Sequence, residues 1–221
     1  MKTMTIIGEL MWLAVNARPD IAFAVQFLSK FSKQPKPKHW QAVKRILRYL
    51  KGTASATIHY SSSDSRFLAY CDSDWARDPS DRKSTSGFLI LFHGAPLSWR
   101  VQKQNSVALS SAEAEYMAAS LCVREVRWFR QVFSELNRSF GDQPIIIYTD
   151  NQPTIQMSIN PVYQSRTKHI DIHAHHLRDE VKKGSIKLAH IAGNENPAHI
   201  FTKPLPTAQH CKCCQLMGLI I

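Results

Sequence analysis

At Ser61-Ser62-Ser63-Asp64-Ser65 the apolar residues of this chain change their spacing, from the roughly 3.6-residue period of helices to the alternation and short apolar runs of strands. That switch requires a helical segment over residues 1–60, a polar linker at 61–66 and a sheet-building segment beyond. Before the linker, Leu10, Leu13, Ala14 and Ala17 form one stripe. After the turn Arg18-Pro19-Asp20, Ile21, Ala24, Val25 and Leu28 form a second. Pro35-Lys36-Pro37-Lys38 breaks the chain, and Trp40, Val43, Ile46, Leu47 and Leu50 make a third, stopping at Gly52. The other side of that helix carries Lys38, Lys44, Arg45, Arg48 and Lys51, either a solvated face or a contact for a phosphate backbone.

Beyond the linker, Phe67–Cys71 reads as a strand ending in Asp72-Ser73-Asp74. Thr85–Phe92 and Leu97–Lys103 read as two more, joined by the turn His93-Gly94-Ala95-Pro96. Ser110–Leu136 has the pattern of a long helix, with Ala118, Cys122, Val126, Phe129 and Phe133 on its apolar face. Ile145–Thr149 is a short buried strand ending at Asp150, Pro153–Ile159 and His169–Lys183 are helical, and Ile186–Ile191 is the last strand. This β-β-β-α-β-α-α-β order predicts an α/β fold over residues 67–204: a mixed five-stranded sheet flanked by helices, with 205–221 as a C-terminal tail.

Three acids sit where a metal-dependent hydrolase would place them. Two-metal hydrolysis of nucleic acid needs carboxylates converging on cations ~3.5–4 Å apart, and hard oxygen ligands suit Mg²⁺. Asp72 closes the first strand of this segment, Asp150 closes the fourth, and Glu115 lies in the first two turns of the long helix. At ~100° per residue Glu115 falls roughly 60° from Ala118, at the margin of the buried face, whereas Glu113 falls on the solvent side. Each acid alone reads more readily as a turn, cap or helix-dipole residue; the three together, on this strand order, point to catalysis.

The charge agrees with a nucleic-acid partner. Lys and Arg number 28 against 17 Asp and Glu, a formal +11, with a pI near 9.6. No GxGxxG or GxxxxGK[ST] string occurs, which sets aside nucleotide-cofactor enzymes of those types. Five cysteines, three of them crowded at 211, 213 and 214, do not make a disulfide framework, so a reducing compartment is expected. His210-Cys211-x-Cys213-Cys214 lacks a second ligand pair at finger-like spacing. No apolar stretch approaches the ~20 residues of a membrane span. Lys2 followed by Ile6–Ala17 loosely mimics a signal peptide, but Glu9 interrupts it and the spacing is that of an amphipathic helix.

Longer strings carry a resemblance. Arg18-Pro19-Asp20-Ile21, the run from Trp40 to Thr53, Asp72-Ser73-Asp74-Trp75-Ala76, Lys83-Ser84-Thr85-Ser86-Gly87 and Ala108–Tyr116 resemble the C-terminal part of a copia-type retrotransposon Pol polyprotein. So do Asp150-Asn151-Gln152, Ser165–Asp171 and Phe201-Thr202-Lys203-Pro204-Leu205. The resemblance implies a reverse transcriptase thumb or connection tail in residues 1–60, followed by a ribonuclease H-like domain that cuts the RNA strand of RNA–DNA hybrids with Mg²⁺ (or Mn²⁺). The polymerase palm has no counterpart in these residues, so a reverse transcriptase partner would be another chain.

Position by position, the resemblance makes Asp72, Glu115 and Asp150 the first three catalytic and metal-holding carboxylates. The fourth belongs in an Ala-Asp-Ile-Phe-Thr-Lys string, which here reads Ala198-His199-Ile200-Phe201-Thr202-Lys203, so His199 stands in its place. Imidazole suits Zn²⁺ or transition metals better than Mg²⁺, and when protonated it repels a cation. Activity is therefore expected to be weakened and shifted toward Mn²⁺, or lost. Arg77 is a second departure, standing where the family has Gly and adding a cation near the site.

Hybrid binding is expected to use shape, phosphates and 2′-hydroxyls. Candidate contacts are Lys103, Gln104, Ser110 and Ser111 around the start of the long helix, then Asn151, Gln152, Arg166 and Lys168. His169, His173 and His176 share a helical face, and His190 ends the last strand. Two other functions compete with an impaired nuclease. One is a catalytically inactive nucleic-acid-binding relic. The other is a secreted effector, since Arg45-Ile46-Leu47-Arg48 fits an Arg-x-Leu-Arg targeting pattern. A cytoplasmic or nuclear location without a membrane is the expectation.

Overall fold

Strand alternation decides which layer covers which face of the sheet. The computed structural model describes residues 2–62, 64, 66–137, 143–160 and 171–221. In chain order these form α1 (Lys2–Asn16), α2 (Ala22–Ser29), α3 (Pro37–Gly52), β1 (Thr57–Ile58), β2 (Phe67–Asp74), β3 (Thr85–Phe92) and β4 (Ala95–Lys103). They continue with α4 (Ser111–Glu135), β5 (Ile145–Thr149), α5 (Gln152–Ile159), α6 (Asp171–Lys182), β6 (Ile186–His190), α7 (Thr207–Leu216) and β7 (Leu219–Ile220). The main sheet has the order β4-β3-β2-β5-β6; β2, β3 and β4 are antiparallel, while β5 and β6 run parallel to β2. This is the mixed five-stranded α/β architecture, flanked by helices, expected from the element order.

On β3, Phe88 and Ile90 face one way and join Ala118, Cys122 and Val126 of α4. Leu89 and Leu91 face the other way and join Leu10, Val25 and Val43 from the three N-terminal helices. Both faces of this interior strand are thus buried, consistent with its apolar run Phe88-Leu89-Ile90-Leu91. Trp99 of β4 donates its indole N–H to the carbonyl of Ala14 at 2.7 Å, tying α1 to the sheet edge.

Several details depart from the sequence expectation. The stripe of α1 is Ile7, Leu10 and Ala14, with Ala17 exposed, and Ala24 points outward from α2. β4 begins at Ala95 rather than Leu97, because the turn is the two residues His93 and Gly94, both at positive φ (55° and 75°), as a type I′ hairpin requires. Residues 205–221 are structured: α7 buries Cys213 and Cys214 against the N-terminal helices, and β7 pairs antiparallel with β1. Gly218 makes that closure, since at φ +74° a Cβ there would stand 2.2 Å from the carbonyl oxygen of Gly94. No helix among the described residues is long and apolar enough to cross a membrane.

Candidate metal and nucleic-acid site

The parallel pairing of β2 with β5 brings two acids together. Ala69 is opposite Ile147 and Tyr70 opposite Tyr148, so two residues further on Asp72 comes beside Asp150 at the same end of the sheet. Glu115 reaches the gap from α4; its Oε1 accepts the Ser73 N–H at 2.9 Å and its Oε2 accepts the Thr149 hydroxyl at 3.4 Å. Asp72 and Glu115 are buried, and Asp150 is partly open.

The fourth member comes from a short 3-10 helix, Pro197–Phe201. Asn196 caps it, accepting the Ala198 N–H at 3.0 Å while donating from Nδ2 to the Cys71 carbonyl at 3.0 Å. That anchor on β2 sets His199 Nε2 between the acids, 3.2 Å from Asp72 Oδ1 and 3.0 Å from Asp150 Oδ2. The hydroxyl of Thr202 donates to Asp72 Oδ2, and the Lys203 ammonium lies 3.6 Å from Asp72 Oδ1. Two glycines make the approach feasible. A Cβ on Gly87, which pairs with Asp72 across β2 and β3, would meet Phe201 Cβ at 2.6 Å; one on Gly193 would meet Asp150 Oδ2 at 3.1 Å.

Electrostatics follow from this packing. Burial opposes a charge on His199, yet its hydrogen bonds to Asp150 and Asp72 win and raise the imidazolium to about 9. Burial also works against ionised Asp150, but the His199 contact holds its carboxyl below the ordinary value. Burial, then the neighbouring Asp72 charge, pushes the Glu115 carboxyl well up. Asp72, Asp150 and His199 offer ligand atoms all within 4.8 Å of one another.

The candidate substrate contacts scatter more widely. Ser110 caps α4, accepting the Glu113 N–H at 3.2 Å, and Ser111 is exposed beside it. Asn151 caps α5, accepting from the Thr154 N–H and hydroxyl, and Gln152 is exposed. Ser110, Gln152 and His190 line one cavity of about 720 Å³. Lys103 is ion-paired with Asp78 and Asp81 at 2.5 and 2.7 Å. Gln104 is buried and donates to Ser86 Oγ and the Ala114 carbonyl, so it ties β4 to α4 rather than facing a ligand. Glu113 is also buried, contrary to its solvent-side expectation, because its carboxylate turns back to accept the Leu109 N–H at 2.9 Å. Arg77 pairs with Asp74 at 3.0 Å. Arg166, Lys168 and His169, and the side chain of His173, lie outside the described residues; His176 Nε2 accepts from Arg127 at 2.8 Å.

Asn196, Thr202 and Lys203 join the site in addition to the residues expected from sequence. Asn196-Pro197 is a helix-start signature, a capping side chain followed by Pro at the first position, and that signal was present in the sequence.

No family model matches the chain. In structure the chain is similar to LC11-RNase H1, solved in complex with an RNA/DNA hybrid, at 14% identity and a TM-score of 0.44, over 62% of this chain and 94% of that one. In sequence it is 45% identical over 126 residues to "Secreted RxLR effector protein 161" of Plasmopara viticola, covering 57% of this chain and 89% of that protein. It is 41% identical over 213 residues to the "Retrovirus-related Pol polyprotein from transposon TNT 1-94" of Nicotiana tabacum. That match takes in 96% of this chain and 16% of the polyprotein, so the chain spans about a sixth of its length. With near-complete coverage of its own residues, the chain belongs to the family of retrovirus-related Pol polyproteins from transposons.

Proposed function

We propose that residues 67–204 form a ribonuclease H-like domain that engages RNA–DNA hybrids and hydrolyses their RNA strand only weakly. The observation that carries this reading is the position of His199, between Asp72 and Asp150 and within hydrogen-bonding reach of both. Residues 1–60 are the thumb- or connection-like remnant in this reading, and α7 packs with them against the sheet. A reverse transcriptase is the protein partner in this reading.

The donor set bears on which metal suits the site. A pair of Mg²⁺ ions calls for oxygen ligands, and here two cationic side chains, His199 and Lys203, face Asp72. That arrangement does not fit a Mg²⁺ pair. Two carboxylates and a neutral imidazole would fit one transition-metal cation that accepts mixed oxygen and nitrogen ligands, such as Mn²⁺, held by Asp72, Asp150 and His199. Such an ion, when bound, would supply charge neutralisation at a phosphate and activation of water. Without it, the His199 Nε2 proton bridges the two carboxylates. Glu115 braces the ends of β2 and β5 through Ser73 and Thr149. The cavity lined by Ser110 and Gln152 next to Asp150 seats the RNA backbone, using the amides at the start of α4 and the Gln152 side chain.

Cleavage of a labelled hybrid, compared between the unaltered chain and His199→Asp in Mg²⁺ and in Mn²⁺, tests the reading. The reverted form should cut faster in Mg²⁺ by about tenfold or more, the scale on which groups around metal sites act. Equal rates in Mg²⁺ would overturn it. Hybrid binding without cleavage in either metal identifies the inactive relic instead.

The secreted-effector reading has the Plasmopara viticola relative in its favour. Against it, Arg45-Ile46-Leu47-Arg48 lies within α3 with Ile46 packed in the core, and α1 is docked through Ile7 and Leu10. A secretion reporter fused to the full chain decides: export would establish that reading, and retention would end it.

A further inference from the structure

We infer that a groove between α2 and the β3–β4 side of the sheet binds single-stranded polynucleotide, as an extension of the hybrid seat. The inference rests on the nucleic-acid reading above but concerns residues outside the candidate catalytic set.

α2 is apolar on two sides. Ala22, Val25 and Leu28 are buried in the core, whereas Phe23 and Phe27 lie on the other side, with Phe31 continuing the four-residue step in the turn just past the helix end. Phe27 is 47% exposed. The rings form a ladder: Phe23 to Phe27 at 6.3 Å, Phe27 to Phe31 at 5.5 Å, and Phe31 to His39 at 4.1 Å with planes 23° apart. A row of aromatic rings outside the core leaves apolar area in water unless a partner covers it.

These rings wall a groove of about 790 Å³ whose opposite side includes Thr85, Val101 and Lys103. At one end the groove reaches Thr202, the residue whose hydroxyl holds Asp72. At the other end, at Lys30 and Phe31, it adjoins a second cavity of about 440 Å³. That cavity is bounded by Lys30, Lys33, Lys36 and Lys38 together with Gln34 and His39, and contains no acid.

Charge identifies the occupant. Within the groove the acids are balanced by its own cations: Asp78 takes Lys30 at 3.1 Å and Lys103 at 2.5 Å, and Asp74 takes Arg77 at 3.0 Å. Lys33, Lys36 and Lys38 form no ion pair among the described residues, so the outer end carries uncompensated positive charge. A path with stackable rings at its centre and spaced ammonium groups beyond them matches a strand whose bases stack and whose phosphates follow the lysines. A duplex hides its base faces in its own stack, so the rings select an unpaired strand, such as an overhang leaving a hybrid at Asp72.

The test is fluorescence anisotropy on the full chain with a blunt hybrid and with the same hybrid bearing a single-stranded extension. The extension should raise affinity about fivefold or more, the gain from stacking roughly one base. Phe27→Ala should abolish that gain and leave blunt-hybrid affinity unchanged. Lys33→Ala with Lys36→Ala should reduce the salt dependence of binding the extended substrate by roughly 1–2 in log–log slope. Equal affinity for blunt and extended hybrids, or a gain that survives Phe27→Ala, would overturn the inference. So would poly-glutamate that displaces the extension as well as an oligonucleotide of equal charge, since that makes the groove a general anion or acidic-peptide surface. Failure of the blunt hybrid to bind counts against the proposed function alone; a single-stranded oligonucleotide, tested separately for loss on Phe27→Ala, still decides the groove.

Discussion

His199 Nε2 stands 3.0 Å from Asp150 Oδ2, and this contact, with its counterpart to Asp72, makes an imidazolium the resident cation of the acid cluster. The cluster therefore does not rely on a metal for its charge balance in the folded chain. With His199 at the position where the resemblance expects a fourth acid, the cluster is neutralised from within.

Stability without metal should accordingly depend on pH through His199. Its folded pKa of about 9 lies above the ordinary 6.5, so its contribution is fully present below pH 6.5 and is lost as pH rises through 9. Asp150, held below 3.8, loses its part as pH falls through its lowered folded value. Unfolding measured with a chelator present should show the unaltered chain more stable than His199→Gln by on the order of a few kcal/mol between about pH 4 and 6.5. That gap should shrink steadily toward pH 9.5. A gap that stays constant, or widens with pH, would contradict the geometry.

Gly87 lets the His199 helix approach the sheet. Gly87→Ala would place a methyl 2.6 Å from Phe201 Cβ and 2.9 Å from Thr202 Cγ2, side-chain atoms of two fully buried residues. The expected cost is about 1–3 kcal/mol from overpacking, seen as a lower denaturant midpoint. Because Thr202 holds Asp72, any metal-dependent cleavage should fall as well. A substitution neutral in both measurements would show that the helix can shift without consequence.

The parts legible in the sequence are those set by local period. Phe67–Asp74, Thr85–Phe92 and Ile145–Thr149 are apolar enough to declare themselves as strands, which put Asp72 and Asp150 at strand ends. The register opposing Tyr70 to Tyr148, which makes those acids neighbours, depends on long-range pairing and has no local signal. Helical angle alone misplaced Glu113, because a first-turn carboxylate can fold back on a preceding N–H. Gln104 looked like a substrate contact since nothing local reveals that Ser86 and Ala114 satisfy its amide. The two-residue strands β1 and β7 are too short for any period, and only the fold brings Ile58 to Leu219.

Thiol chemistry should separate the C-terminal cysteines. Cys211 is exposed, whereas Cys71, Cys122, Cys213 and Cys214 are buried. Burial raises the Cys213 thiol to about 11 and the Cys214 thiol to about 12, well away from reactivity at neutral pH. Iodoacetamide on the native chain should modify one thiol, mapped by mass spectrometry to Cys211, and Zn²⁺ should not protect it. Rapid modification of Cys213 or Cys214 would mean that α7 is not docked as described.

Arg18 and Asp20 should be the most sensitive pair in the helical layer. Arg18 grips Asp20 with two nitrogens at 3.0 and 2.8 Å and donates to the Thr53 carbonyl and hydroxyl, while Tyr49 donates to the same Asp20 carboxylate at 2.7 Å. The Asp20 side chain is fully enclosed, and the His210 ring contacts its carbonyl from α7 at 3.2 Å. Asp20→Ala removes the acceptor and strands a guanidinium and a phenol, an expected loss of about 3–5 kcal/mol. At roughly 2–4 °C per kcal/mol for a chain of this size, Tm should fall by about 10 °C. The double replacement Arg18→Met with Asp20→Leu leaves no unpaired charge and should recover part of the loss. If it is no more stable than Asp20→Ala, what matters is the hold of Arg18 on Thr53 rather than the burial of a paired charge.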